Sequence, residues 1–184
     1  MIEMIGPESF VEKPWKNGQG KTLELAVETQ EGSEAWNWRL SMARVEADGP
    51  FSDFSGYERH LMLIEGRGLD LRHEHHADQI LIQPFEHVVF GGDWQTSARL
   101  VSGPITDFNV MTRIGTCSAQ LLAARAGNLP NLAEINFLYA PKKETTLICE
   151  AGTFVIFPKH LLKFSRQTSA RIEGGPAVLV CISC

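Results

Sequence analysis

RHLMLIEGRGLDLRH, residues 59–73, is the stretch that decides the fold. It begins as an apolar run that stops at Gly66. It then alternates, with Leu69 and Leu71 on one side and Asp70 and Arg72 on the other. A helix would need an apolar stripe at three- and four-residue spacing, and no segment of the chain keeps one for three turns. Two strands joined through a glycine fit the pattern instead. The reading extends in both directions. LELAV (23–27) puts Leu23, Leu25 and Val27 on one face, and NWRLSMA (37–43) sets Trp38, Leu40 and Met42 against Asn37, Arg39, Ser41 and Ala43. ILIQPFEHVVF, DFNVMTR, AQLLAARA, INFLYA, TTLICE, TFVIFP and AVLVCIS continue the pattern between Gly, Pro, Asp and Ser clusters. Roughly ten short strands with close turns predict an all-β chain, a sandwich or barrel. LIQPFEHVVFGGDWQ (81–95) and LICEAGTFVIFPKHL (147–161) share one order of strand, turn and strand. That echo divides the chain into two β units, 1–115 and 116–184.

Composition narrows the function. The 184 residues are 43% hydrophobic and 21% charged, with a net charge of −5. Surfaces for nucleic acid or anionic membrane need a basic footprint, so neither partner is expected. No apolar run approaches the ~20 residues that span a bilayer. The N-terminus lacks a basic flank followed by an apolar stretch, so the chain is expected in the cytoplasm. Its four cysteines, Cys117, Cys149, Cys181 and Cys184, are then expected as reduced thiols.

Three motifs invite a chemical reading. GQGKT (18–22) ends like a phosphate loop, but Trp15 stands where the first glycine belongs, and a strand pattern follows instead of a helix. CISC (181–184) has CxxC spacing within an extended run, where residues three apart point to opposite faces. RHEHHADQ (72–79) concentrates three histidines with Glu74 and Asp78. It sits between two strands, so it reads as a solvated hairpin tip, whereas a catalytic metal needs fixed ligands with support behind them.

Polar residues inside apolar strands are more informative. Arg39 and Ser41 lie opposite Trp38, Leu40 and Met42, and Arg59 heads an apolar strand. In ITDFNVMTR (105–113), Asp107, Asn109, Met111 and Arg113 share one face. If that face points inward, its charges are either paired internally, with Asp107, Glu24 or Glu58 as partners, or kept for a ligand. A guanidinium donates two parallel hydrogen bonds to a carboxylate, and an asparagine reads an amide or imino group from both sides.

WKNGQGKTLEL, WNWRLSMARVEADGPFSDFSGYERHLMLIEGRGL and SGPITDFNVMTR, all within residues 14–113, together resemble the motif set of the HutD/Ves family. The resemblance implies a cupin-type fold, a bicupin of two β-barrels or jelly rolls in one chain. It also implies a protein that binds a histidine-breakdown intermediate, such as formylglutamate or formiminoglutamate, and moderates histidine utilisation. Metal-binding cupins would place HxH within FSDFS, a glutamate at or next to Arg59, and a further histidine near Trp94. None of these ligands is present, so no metal and no cofactor are expected.

The expected site is therefore a metal-free carboxylate pocket. Arg59 and Arg39 are its anchors, Asn109 and Ser41 its neutral hydrogen-bonders, and Trp15, Asn17 and Met111 its wall. A metal-independent isomerase or hydrolase using the same pocket, with Glu24, Asp107 or His60 as base, is the alternative. A metal-dependent dioxygenase built on RHEHHADQ is the third reading. Fold analogy adds a homodimer through edge strands.

Overall fold

The alternation becomes antiparallel strands throughout. The computed structural model describes residues 1–15, 20–130 and 132–184. It begins with strand β1 (Ile2–Ile5) and a single 3-10 turn at Pro7–Ser9. Two units follow from the packing: Phe10–Cys117 is one, and Met1–Ser9 with Ser118–Cys184 is the other.

The Phe10–Cys117 unit contains β2 (Val11–Pro14), β3 (Lys21–Thr29), β4 (Trp36–Val45), β5 (Gly49–Pro50) and β6 (Tyr57–Glu65). After these come β7 (Leu69–His73), β8 (Gln79–Leu81), β9 (His87–Gly91), β10 (Thr96–Leu100) and β11 (Ile105–Arg113). They form a six-stranded sheet, β2-β3-β4-β11-β6-β9, and a four-stranded sheet, β5-β10-β7-β8. The stretch 59–73 passes from one sheet to the other at Gly66. A Cβ there would come within 2.5 Å of Ile105 Cγ2 and 2.8 Å of the Pro104 carbonyl, at a φ of +108°, so only glycine fits. Leu61, Leu63 and Phe90 of the larger sheet pack with Leu69, Leu71, Leu81 and Ala98 of the smaller one.

The central strands β4, β11 and β6 are buried on both faces. Trp38, Leu40, Met62, Phe108 and Val110 are as inaccessible as the residues that alternate with them. Burial on two sides explains why HLMLI reads as a continuous apolar run. Strand β3 departs from simple alternation. Glu24 pairs with Ser41 and Ala26 with Leu40, so Leu25 is bulged out of register. Leu23 and Val27 therefore lie on opposite faces, not on the shared face that LELAV suggests. The bulge also sets Glu24 on the same face as Ser41.

The second unit comprises β1 with β12 (Ser118–Ala124), β13 (Gly127–Asn128), β14 (Ile135–Tyr139), β15 (Thr145–Cys149), β16 (Gly152–Ile156), β17 (Leu161–Ser165), β18 (Ala170–Gly174) and β19 (Ala177–Ser183). Its sheets run β1-β17-β14-β19-β12 and β13-β18-β15-β16. Leu138, Phe164 and Leu179 of the first pack with Leu147, Ile156 and Ile172 of the second. Cys149 and Cys181 are free thiols. Cys117 and Cys184 are disulfide-bonded, which corrects the expectation of four reduced thiols. Among the described residues no helix is long and apolar enough to cross a membrane.

Candidate functional site

Register brings the unusual polar residues together. Met111 stands opposite Arg39 on one side and Arg59 on the other. Asn109 stands between Ser41 and Leu61, and Asp107 between Ala43 and Leu63. Directly opposed residues share a face. Arg39, Ser41, Arg59, Asp107, Asn109 and Met111 therefore project from the face that also carries Leu61 and Leu63 into the core.

Arg59 is the most constrained of them. It is 6% exposed, and its Nη2 donates to Asn109 Oδ1 at 3.1 Å. Three phenyl rings enclose its guanidinium: Phe51 at 4.8 Å, Phe90 at 5.1 Å and Phe54 at 5.5 Å. Phe90 gets there because β9 pairs with β6, Phe90 directly opposite Arg59. The rings attract the cation through their quadrupoles while excluding water. Burial lowers the Arg59 pKa from 12.5 to about 10, Asp107 pulling it up and Arg39 adding to the fall. Its Nε is buried and has no hydrogen-bond partner among the described residues. An unmatched charged donor costs more than the roughly 1–3 kcal/mol of a neutral one, so an acceptor is called for.

Asn109 connects Arg59 to a carboxyl group. Its Nδ2 donates to Asp107 Oδ1 at 2.6 Å, and Asp107 is 1% exposed. Desolvation raises the Asp107 pKa to about 7. Arg59, the Ala43 backbone N–H and Asn109 all oppose that rise. Arg39 has a different partner. Its Nε donates to Glu24 Oε2 at 2.7 Å, and Lys13 Nζ reaches the same carboxylate at 2.8 Å. The two expected anchors thus differ: Arg39 is matched by an acid, whereas among the described residues Arg59 Nε meets no acceptor.

The remaining expected residues are placed as follows. Ser41 and Met111 are buried on the site face. Trp15 packs against the core, its Nε1 donating to Thr22 Oγ1 at 2.9 Å. Asn17 lies outside the described residues. His60 points away from Arg59, with Nε2 at 3.0 Å from Glu58 Oε1, and burial lowers its pKa.

The histidine-rich stretch is only partly a solvated tip. His73 is buried, with Nδ1 on Thr96 Oγ1 at 2.8 Å and Nε2 on Gln79 Oε1 at 3.1 Å. His76 stacks on Trp94 at 3.7 Å, and His75 is exposed. The three imidazoles are thus committed to different surroundings. Among the described residues no group of three or more His, Cys, Asp or Glu side chains could hold a metal ion. A groove of about 650 Å³ runs beside the site, lined in part by Phe51, Arg72, His73, Trp94 and Thr96. Phe51 belongs both to this groove and to the ring of phenyl groups around Arg59.

A family model, HutD, matches residues 7–180. The chain belongs to the HutD family. HutD from Pseudomonas fluorescens SBW25 is 27% identical, with a TM-score of 0.85 over all of this chain and 98% of that one. A conserved protein of unknown function from Pseudomonas aeruginosa PAO1 is 25% identical, with a TM-score of 0.86 over the full length of both. This HutD-family chain has the same all-β, cupin-like fold of antiparallel sheets. A third relative, an uncharacterized 21.2 kDa protein in the hutC 3′ region of Pseudomonas putida, is 36% identical over 110 residues. That match covers 60% of this chain and 57% of the relative. In this HutD-family chain the rings of Phe51 and Phe54, from the segment FSDFS, both close on Arg59.

Sequence parity grouped Arg39 with Ser41 and Asn109 with Met111; the register of β4, β11 and β6 adds Arg59 to the same face, and the phenyl rings were missed. Two phenylalanines three apart in the polar loop GPFSDFSG were the available signal for two of them. Phe90 had none, because its role depends on which strand pairs with β6.

Proposed function

We propose that this protein is a metal-free, cupin-fold binding protein that holds a small carboxylate on Arg59 and modulates histidine utilisation. Formylglutamate and formiminoglutamate are the leading ligands. The observation that carries the reading is the Nε of a buried guanidinium without a partner among the described residues, with Asn109 fixed beside it. A carboxylate satisfies Nε together with a neighbouring N–H in the bidentate geometry that guanidinium favours. Asn109 and Ser41 are then neutral hydrogen-bonders, and Met111 and Trp15 supply the wall. Arg39, committed to Glu24, adds no free charge to the pocket. The bicupin reading, one barrel per unit, belongs to the same proposal.

The names of the relatives support this without deciding it. The Pseudomonas putida relative is named for its place in the hutC 3′ region, and the Pseudomonas fluorescens HutD structure was solved in a formate condition. Formate is the smallest carboxylate.

Isothermal titration with formylglutamate and formiminoglutamate tests the proposal. Saturable binding of one ligand per chain, unchanged by a chelator, is expected. Absence of heat from both, in protein shown to be folded, removes the ligand assignment.

One observation favours a second reading, a metal-independent isomerase or hydrolase. Asp107 sits one side chain from Arg59 with a pKa of about 7, suited to a general base at neutral pH. Turnover of a bound carboxylate that disappears in Asp107→Asn would establish it.

A further inference from the structure

We propose that Asp107 is a specificity-determining residue of the Arg59 site, making an anionic ligand enter together with one proton. This rests on the carboxylate reading above and deepens it.

Asp107 is 1% exposed and Arg59 is 6% exposed, and Asn109 hydrogen-bonds to both. When Asp107 is ionised, the two charges cancel. A ligand carboxylate then adds an uncompensated negative charge to a face poorly able to screen it. Protonating Asp107 restores neutrality and leaves the whole field of Arg59 to the ligand.

The surrounding groups leave few other routes to neutrality. On β4, Ala43 stands opposite Asp107, and Ser41 and Arg39 lie further along. Arg39 is taken up by Glu24 from β3, which Lys13 of β2 also holds. On β6, Leu63 stands opposite Asp107, and Arg59 supplies the positive charge that acts on it. The opposing sheet presents Leu69, Leu71, Leu81 and Ala98, none of them charged. His73, at the end of β7, has both ring nitrogens on Thr96 and Gln79. His60 and Glu58 pair with each other, and His60 lies on the far face of β6. Asp107 is the group in this enclosure whose ionisation already falls near neutral pH.

The sign follows from linkage. Bound anion raises the Asp107 pKa above its free value of about 7. Affinity is flat below that value, because Asp107 is protonated with or without ligand. It falls as pH rises through the free pKa toward the bound one, up to about tenfold per pH unit, and one proton is taken up per ligand in that window.

Formate and formylglutamate are suitable probes, since ordinary carboxylates do not titrate above about pH 6. Calorimetry at pH 6 and pH 8.5, in two buffers of different ionisation enthalpy, is expected to show affinity at least about tenfold weaker at the higher pH. Proton uptake should approach one near pH 8. In Asp107→Asn both the slope and the uptake should vanish. Wild-type affinity constant across this range, with no uptake, overturns the inference and leaves the carboxylate reading standing. A slope that persists in a folded Asp107→Asn protein also overturns it, because another group then carries the proton. No binding of either probe at any pH overturns the carboxylate reading and this inference with it.

Discussion

Arg59→Met is expected to weaken carboxylate binding by roughly 10²–10⁴-fold. Two charge-assisted hydrogen bonds contribute about 1.5–3 kcal/mol each, and roughly 1.4 kcal/mol corresponds to tenfold in affinity. Methionine keeps an apolar body among Phe51, Phe54 and Phe90, so the loss reports the guanidinium and not a collapsed cavity. Arg59→Lys should fall in between, because an ammonium keeps the charge and gives up the planar fork. Titration calorimetry on the three proteins checks the order. Equal affinity in wild type and Arg59→Met would place the ligand elsewhere.

The same substitution changes the dependence of stability on pH. In the native protein Asp107 holds its proton up to about pH 7, well above an ordinary aspartate. The folded state therefore binds more protons than the unfolded state between about pH 4 and 7, so this group's contribution to stability falls as pH rises through that window. Above it, both states are deprotonated and the contribution is level. Removing Arg59 takes away the cation that favours ionised Asp107, so the decline should extend beyond pH 7. Urea midpoints measured at pH 6 and pH 8 should diverge further in Arg59→Met than in wild type.

Glu24→Ala is expected to cost roughly 3–5 kcal/mol of folding stability, the range for stripping a buried charge of its partner. Glu24 is 8% exposed and receives both Arg39 Nε and Lys13 Nζ. Lys13 is about half exposed and can turn to water, but the Arg39 side chain is 11% exposed and cannot. Glu24→Gln should cost less, since its amide oxygen still accepts from Arg39. Replacing both partners, Glu24→Leu with Arg39→Met, should recover most of the loss, because no charge is then left buried. Chemical denaturation measures each value. A loss under about 1 kcal/mol in Glu24→Ala would mean that Arg39 has another acceptor within reach.

Much of this arrangement could be read before any coordinates. Alternation is a local property, so NWRLSMA and ITDFNVMTR announced both their strands, and within each that Arg39 shares a face with Ser41 and Asn109 with Met111. Gly66 announced the passage from β6 to β7. Features that depend on pairing or burial were hidden. The bulge at Leu25 breaks the parity that LELAV displays, and it puts Glu24 inside, where it takes Arg39. His73 reads as part of a polar tip, yet its ring is buried between Phe90 and Trp94. Phe90 comes to Arg59 only through the pairing of β9 with β6, a long-range choice that leaves no local mark. The division between Arg39 and Arg59 was hidden for the same reason: which arginine meets an acid is a matter of register.

A crystal structure of the wild-type protein grown with formylglutamate tests the central claim most directly. It should show a ligand carboxylate oxygen within hydrogen-bonding distance of Arg59 Nε, inside the ring of Phe51, Phe54 and Phe90. Ligand seated only in the groove beside His73 and Trp94, with no ligand atom on Arg59 Nε, would contradict it.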